Sequence, residues 1–178
     1  KISGLENYLK IEESQYTDAP VRGAALDSRL IKPGMIFFGT KGENTDGNTH
    51  AQSALEAGAA VVVMDNKAAY DKVNGNKILV ENTLKSIYRM AKLRAKDIKA
   101  TKIAITGSFG KTSTKEMMKL VLSGKCKVQA TEGNYNNALG VSVTACGISD
   151  ETEVAIFEMG TNAIGEINCL SELIEPNI

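Results

Sequence analysis

Short apolar runs separated by turn-forming residues fill the first 80 or so residues of the chain. We predict buried strands at 35–38, directly after the turn pair Pro33-Gly34, and at 60–64 and 77–80, because these runs are rich in β-branched or other apolar residues. A helix is predicted between the first two strands, since residues 51–55 have helical spacing and Gly58 provides a stop. This half of the chain is typical of a small α/β domain.

A helical period replaces this pattern from residue 82 onward. Apolar residues recur three or four positions apart, with Lys and Arg between them, at Leu84, Ile87, Ala91, Ala95 and Ile98. That spacing predicts one amphipathic helix that links two halves, and it leads into a strand at 102–106. We therefore predict a small α/β domain over residues 1–82 and a second domain over residues 83–178.

The second half alternates helices and strands. The predicted elements are, in order, a helix carrying Met117, Leu120 and Val121, extended segments at 127–131 and 153–159, and a last helix carrying Ile167, Leu170 and Ile174. Such alternation predicts a parallel sheet with right-handed crossovers. The last helix stops at Pro176, where a doubly wound sheet would require a further strand, so we expect a truncated parallel-sheet domain.

A phosphate-binding loop is predicted between the strand at 102–106 and the helix that follows. Glycines let backbone N–H groups approach a triphosphate, a lysine reaches the β and γ phosphates, and a threonine hydroxyl ligates Mg²⁺. The residues in question are Thr106, Gly107, Ser108, Phe109, Gly110, Lys111, Thr112 and Ser113. Ile105 stands where the general pattern has its first glycine, and a glycine-rich turn with a solvated lysine is the alternative.

Two further segments follow strands of the second half. Glu158 ends an apolar strand, where a carboxylate faces the ligand crevice of a parallel sheet and is a candidate second Mg²⁺ ligand. A solvated strand end would explain it equally. Asn134, Asn136 and Asn137 form either a tight turn or a ligand-reading loop, because asparagine suits both.

Candidate anion-binding residues of the first half lie near its turns. Arg29 can grip a diphosphate or carboxylate, with Ser28 adding a hydroxyl, although a surface salt bridge is the plainer interpretation. Asp46 and Gly47 belong to the segment 41–48, which is polar and predicts an exposed loop.

Composition narrows the class of protein. The chain has 178 residues, 43% of them hydrophobic, and 21 basic residues balance 21 acidic ones. Zero net charge argues against a nucleic-acid-binding surface, and no apolar run approaches the roughly 20 residues of a membrane span. Since the chain opens on Lys1 without a signal sequence, we expect a cytoplasmic protein whose ends have been cut. We also expect a monomer.

Metal and hydrolytic chemistry based on cysteine or histidine is disfavoured. Cys126, Cys146 and Cys169 lack the close spacing of a zinc site, and His50 is the single histidine. We expect buried, reduced thiols, and a helix-start role for the histidine.

Taken together, these motifs resemble the Mur ligase family over nearly the whole chain. The first block comprises Asp27-Ser28-Arg29, Pro33-Gly34, Phe37, Gly42, Asp46-Gly47 and Ala57-Gly58-Ala59, and the second is the short Mur form of the phosphate loop at 106–112. The segments Asn134-Tyr135-Asn136-Asn137, Gly140-Val141, Glu158-Met159-Gly160 and Gly165-Glu166-Ile167 resemble the branch that adds a dipeptide. Asn48 departs from the family, which often has histidine there.

The resemblance implies an ATP-dependent amide ligase of peptidoglycan precursor synthesis. Its substrates are UDP-N-acetylmuramoyl-tripeptide and D-alanyl-D-alanine, joined through an acyl phosphate. It implies that Lys111 and the loop hold the phosphates of ATP, that Thr112 and Glu158 hold Mg²⁺, and that Asn134 and Asn137 lie near the reacting centre. Ser28 and Arg29, with Asp46 and Gly47, are implied on the uridine-nucleotide side. The chain is then a fragment that we expect to be inactive alone.

Two other interpretations stay open at this point. One is the sister branch that adds the third amino acid of the peptide, against which the asparagine-rich segment argues. The other is a noncatalytic nucleotide-binding module, which would have no need of Glu158 as a second metal ligand.

Overall fold

A computed structural model describes residues 1–42 and 45–178 of the chain. It is a mixed α/β protein built on parallel sheets, as the sequence predicts. The chain divides into two compact units, Lys1–Met90 and Ala91–Ile178. None of the helices among the described residues is long and apolar enough to cross a membrane.

The first unit contains a five-stranded sheet. Its strands are β1 (Ile11–Gln15), β2 (Ala24–Ala25), β3 (Ile36–Phe38), β4 (Val61–Met64) and β5 (Lys77–Val80), in the order β1-β5-β4-β3-β2. Only β1 is antiparallel to its neighbour, β5, and the other pairs are parallel. Helices α1 (Ala51–Glu56) and α2 (Lys67–Tyr70) connect strands, and short 3-10 turns lie at Ile2–Asn7, Ser28–Leu30 and Gly47–His50.

The three predicted strands of this unit are confirmed, and so is the helix after residue 50. Every residue of β3, β4 and β5 is buried, as expected for central strands covered on both faces. Phe37, Val62 and Met64 pack with Tyr70 of α2 in one apolar cluster. This core fixes the end of β3, the strand that precedes the candidate residues Asp46 and Gly47.

Helix α3 (Thr83–Asp97) contains the division between the two units, because the second unit begins at Ala91. Its elements are β6 (Thr101–Ile105), α4 (Lys111–Ser123), β7 (Val128–Ala130), α5 (Ala138–Gly147), β8 (Val154–Glu158) and α6 (Glu166–Ile174). The strands are all parallel and lie in the order β6-β8-β7. The predicted alternation of strand and helix is confirmed, and α5 is an addition to it.

The last residues of the chain run beside β6. The Ile178 N–H donates to the Lys102 carbonyl at 3.3 Å, and the Ala104 N–H donates to the Ile178 carbonyl at 2.8 Å. Parallel neighbours make this alternating pattern, so residue 178 occupies the place of a further strand on the open side of β6. This observation agrees with the strand expected after Pro176.

Four features of the exposure pattern differ from what the sequence alone suggests. Leu84 is 40% exposed, because Thr83 and Ser86 take the buried positions at the start of α3. Cys169 is exposed on α6 and Cys126 is half-buried, which leaves Cys146 as the buried thiol; all three are free. The apolar residues predicted on α4 do not face a core: Met117, Leu120 and Val121 are all exposed.

The segment 41–48 is the fourth case. Lys41, Gly42 and Thr45 are exposed as expected, but Gly47 and Asn48 are buried in the 3-10 turn. Asn48 is buried because its amide donates to Asp46 Oδ1 at 2.7 Å and to Asp65 Oδ1 at 2.9 Å. Glu43 and Asn44 lie outside the described residues.

Replacing Gly47 by alanine is expected to destabilise the first unit. A Cβ at this position would lie 2.6 Å from the Thr40 carbonyl oxygen and 2.9 Å from its nitrogen, so backbone has to move. We expect a cost of roughly 2–3 kcal/mol, visible as faster amide hydrogen exchange in β3 and β4. Gly4→Ala is the matched control, because nothing lies within 4 Å of a Cβ there. Equal exchange in the two variants would contradict the steric argument.

Candidate functional site

An exposed loop joins the end of β6 to the start of α4. Residues 106–110 are all exposed, and Phe109 is 95% exposed. Gly107 and Gly110 have φ angles of 147° and 76°, backbone angles that residues other than glycine rarely adopt. Gly110 is the residue directly before the first turn of α4. The first N–H groups of a helix have no helical carbonyl to bind and carry the positive end of its dipole. The loop therefore has the geometry of an anion-binding turn.

Lys111 begins the helix and folds back over this loop. Its Nζ donates to the Gly107 carbonyl at 2.7 Å. Among the described residues, the Lys111 ammonium group is thus paired with a neutral carbonyl and not with a carboxylate. Breaking one hydrogen bond at an exposed carbonyl is enough to release it toward a ligand. Thr106, Ser108 and Ser113 also lie exposed on the loop and the first turn of α4.

A buried carboxylate lies at the end of β8. Glu158 is 1% exposed, and its Oε1 accepts hydrogen bonds from Thr112 Oγ1 at 3.1 Å and from Asn136 Nδ2 at 2.9 Å. Its other oxygen, Oε2, lies 3.3 Å from Lys115 Nζ and is buried without a hydrogen-bond partner among the residues described. The structure thus brings together Thr112 and Glu158, the two residues that the sequence suggests as metal ligands.

The Glu158 side chain is ionised at neutral pH. Burial by itself would raise the pKa of this carboxyl, but the donors Asn136, Thr112 and Lys115 together bring the pKa below its ordinary value. An ionised carboxylate next to the Thr112 hydroxyl suits a hard cation, which prefers oxygen ligands.

The three asparagines of the segment after β7 make different contacts. Asn137 is the N-cap of α5, where its side chain accepts from the Gly140 N–H at 2.8 Å. Asn134 is exposed, and its carbonyl accepts from the Asn136 N–H. Asn136 is the residue whose amide reaches Glu158, and its own carbonyl accepts from the Gly160 N–H at 2.8 Å.

Sequence reasoning missed two residues of this cluster, Asn136 as a contact of Glu158 and Lys115. No spacing rule tells which asparagine of a turn points inward. Lys115 did carry a signal, because it follows Thr112 by three positions and therefore lies on the same helix face.

The candidate residues of the first unit lie where parallel strands end. Ser28 and Arg29 occupy the 3-10 turn after β2, and Asp46 caps the 3-10 turn that begins at Gly47 and leads to α1. The Arg29 guanidinium is 85% exposed and pairs with Asp27, with Nη2 at 2.6 Å from Oδ2. This is the salt bridge that the plainer interpretation expects, and it leaves part of the guanidinium facing solvent.

We expect Arg29→Ala to change the titration of Asp27. Hydrogen bonds from Arg29 lower the pKa of Asp27 to about 2, below the ordinary 3.8. Because the folded-state pKa is depressed, the stabilisation is present at pH values above 3.8 and is lost as pH falls through 2. Carboxyl-carbon NMR should show the variant's Asp27 titrating between 2 and 3.8, because the backbone N–H of residue 29 still donates to its carboxylate. Asp18, which is held by Ser3 and Lys1, is the internal control and should not change. An Asp27 that still titrates near 2 would contradict the assignment of the shift to Arg29.

Family comparison agrees with this arrangement of two units. The description "Mur ligase family, catalytic domain" matches residues 20–104, and "Mur ligase middle domain" matches residues 105–178. The chain belongs to the Mur ligase family, which confirms the resemblance found in the sequence motifs.

Individual relatives point to one member of that family. The UDP-N-acetylmuramoyl-tripeptide–D-alanyl-D-alanine ligase of Bacillus subtilis is 37% identical over 163 residues, covering 92% of this chain and 36% of the relative. The ligase of the same name from Rickettsia prowazekii is 40% identical over 156 residues, covering 86% of this chain and 34% of the relative. The chain thus spans about a third of the length of these curated relatives.

Solved structures give the same result. The UDP-N-acetylmuramoylalanyl-D-glutamyl-2,6-diaminopimelate–D-alanyl-D-alanyl ligase of Acinetobacter baumannii superposes with a TM-score of 0.82 at 27% identity, covering 98% of this chain and 39% of that one. The MurF ligase of Thermotoga maritima in complex with ADP has a TM-score of 0.68 at 29% identity, covering 88% of this chain and 36% of that one.

Proposed function

We propose that this chain is the amino-terminal and partial central part of an ATP-dependent ligase that adds D-alanyl-D-alanine to UDP-N-acetylmuramoyl-tripeptide. The observation that carries the proposal is the contact between Thr112, at the start of α4, and the buried Glu158 at the end of the neighbouring strand β8. A glycine loop alone suits any anion, whereas the added carboxylate suits a metal-bound triphosphate. The curated relatives carry the name of this ligase.

The chain's own residues would act by binding and orientation. The backbone N–H groups of the loop and the Lys111 ammonium hold the triphosphate of ATP, and the Asn136 amide keeps Glu158 turned toward Thr112. Thr112 and Glu158 offer oxygen ligands that fit Mg²⁺, which when bound neutralises phosphate charge during transfer. The γ-phosphoryl group passes from ATP to the terminal carboxylate of the tripeptide and leaves ADP. The amine of the dipeptide then attacks the carbonyl of the acyl phosphate, which forms the amide and releases inorganic phosphate and a proton. Asn134 and Asn137 belong to the segment that we assign to this centre.

The first unit would hold the UDP end of the substrate. Ser28 and Arg29 follow β2, and Asp46 and Gly47 follow β3; parallel strands place these ends at one edge of the sheet. The exposed guanidinium of Arg29 suits a diphosphate. In this proposal residues 1–82 bind the uridine nucleotide and residues 83–178 bind ATP. We also propose a monomer acting in the cytoplasm.

Calorimetry of the 178-residue chain tests both halves of the proposal. We expect it to bind the UDP-tripeptide and, in a separate titration, Mg-ATP, without producing ADP. A full-length ligase carrying these residues should release ADP only when D-alanyl-D-alanine is the amine. If the full-length protein released ADP with a UDP-dipeptide and a single amino acid, the result would favour the sister ligase. If the full-length protein bound ATP but released no ADP under any condition, the result would favour a noncatalytic module.

A further inference from the structure

A lysine with no exposed surface lies on α4, the helix that follows the phosphate loop. Lys115 belongs to the second turn of α4, and its side chain is 0% exposed. Removing an ammonium group from water is costly unless charged or polar partners replace the water. The partners here come from two different parts of the chain outside α4.

The Lys115 ammonium joins α4 to the end of β8 and to the asparagine-rich segment. Its Nζ lies 3.3 Å from Glu158 Oε2 and donates to the Gly133 carbonyl at 3.0 Å. A third neighbour is Glu116 Oε1 at 3.3 Å, on a side chain that is 56% exposed. One cation therefore contacts the carboxylate proposed to ligate the metal and the segment that presents the Asn136 amide to it.

The positions around Glu158 show what this contact does. Thr112 and Asn136 both bind Oε1, so they fix one oxygen of the carboxylate. Lys115 is the charged group facing Oε2, the oxygen that lacks a hydrogen bond among the described residues. Without the ammonium, Oε2 would be a buried oxygen with neither a hydrogen bond nor a compensating charge among the described residues, and this arrangement of the carboxylate would lose its stabilisation.

We propose that Lys115 is a positioning residue of the nucleotide site, which fixes the Glu158 carboxylate and the segment carrying Asn136 in the arrangement that receives a metal-bound triphosphate. The inference rests on the proposed function, because it concerns the site assigned there. Lys115 acts through Glu158, whereas Lys111 acts on the phosphates directly. Loss of Lys115 should therefore weaken the magnesium-dependent part of ATP affinity and leave the magnesium-independent part.

Calorimetry with the 178-residue chain separates these two parts, with ATP titrated once in Mg²⁺ and once in EDTA. In Lys115→Met we expect at least a tenfold higher Kd for ATP in Mg²⁺ and less than a twofold change in EDTA. Lys119→Met removes an exposed lysine from the same helix and should match the parent chain in both titrations. Lys115→Arg keeps the charge and should recover part of the loss.

Each other result has a defined meaning. A folded Lys115→Met variant with a Kd within twofold of the parent in Mg²⁺ overturns the positioning role while leaving the proposed function intact. A parent chain that binds ATP in neither buffer defeats the proposed function, and this inference with it.

A variant that fails to fold is informative through a second substitution. If Lys115→Met unfolds, adding Glu158→Gln removes the unpaired buried charge and should restore the circular dichroism of the folded chain. A double variant as unfolded as the single one would show that Lys115 does not act through Glu158.

Discussion

Lys111→Ala is expected to weaken the binding of Mg-ATP to the chain by roughly 30- to 150-fold, or about 2–3 kcal/mol, the size of a charged hydrogen bond. The ammonium group is the mobile cation of the loop, and in the structure it is held by the Gly107 carbonyl alone among the contacts described. Since that carbonyl is exposed, water replaces the lost donor and the fold should survive.

Calorimetry checks the affinity, and circular dichroism checks the fold of the variant. Lys119→Ala is the matched control, because Lys119 is exposed on the same helix without a place in the proposed site. A Lys111→Ala variant that binds Mg-ATP within twofold of the parent chain would remove the phosphate-loop assignment and with it the proposed ligase.

Gly140→Ala is expected to be strongly destabilising, although alanine normally favours a helix. A Cβ at residue 140 would lie 2.6 Å from the Cα, C and O atoms of Tyr135, so the backbone before α5 has to shift. We expect a loss of about 3 kcal/mol, seen as a lower urea midpoint and faster hydrogen exchange in β8. The shift would also displace Asn136, the next residue, from Glu158.

Gly147→Ala provides the comparison within the same helix. Nothing lies within 4 Å of a Cβ at residue 147, so only the helical preference of alanine remains, worth about 0.5–1 kcal/mol in the stabilising direction. If the two variants had the same urea midpoint, the close approach of Gly140 to Tyr135 would not limit stability.

The sequence was informative where one local rule determines the structure. Strands β3, β4 and β5 are apolar throughout because both faces are covered, so their composition marks them directly. The phosphate loop was found because its chemistry requires glycines, a lysine and a threonine in a fixed order.

Elements without such a rule were missed. α5 is apolar on all sides and contains glycines at 140 and 147, so it shows no amphipathic period. β1 is a mostly exposed edge strand with polar residues, and only its pairing with β5 identifies it.

The candidate site could be predicted as a set of segments but not as a set of contacts. The sequence identified Thr112 through the phosphate-loop motif and Glu158 through its place at the carboxyl end of a parallel strand. The choice of Asn136 as the amide facing Glu158 depends on tertiary packing, since Gly160 and Gly140 leave room for that turn. Lys115 was missed because a helical lysine ordinarily faces water.

Gly110 has a consequence for the chirality of the phosphate loop. Its φ of 76° disfavours an L side chain, yet a Cβ built there meets nothing within 4 Å. Glycine is therefore required at this position for its left-handed backbone conformation, and not because a side chain would lack room. A D-alanine introduced there by chemical synthesis would favour this φ, and would stabilise the folded chain by removing the conformational freedom that glycine retains in the unfolded chain.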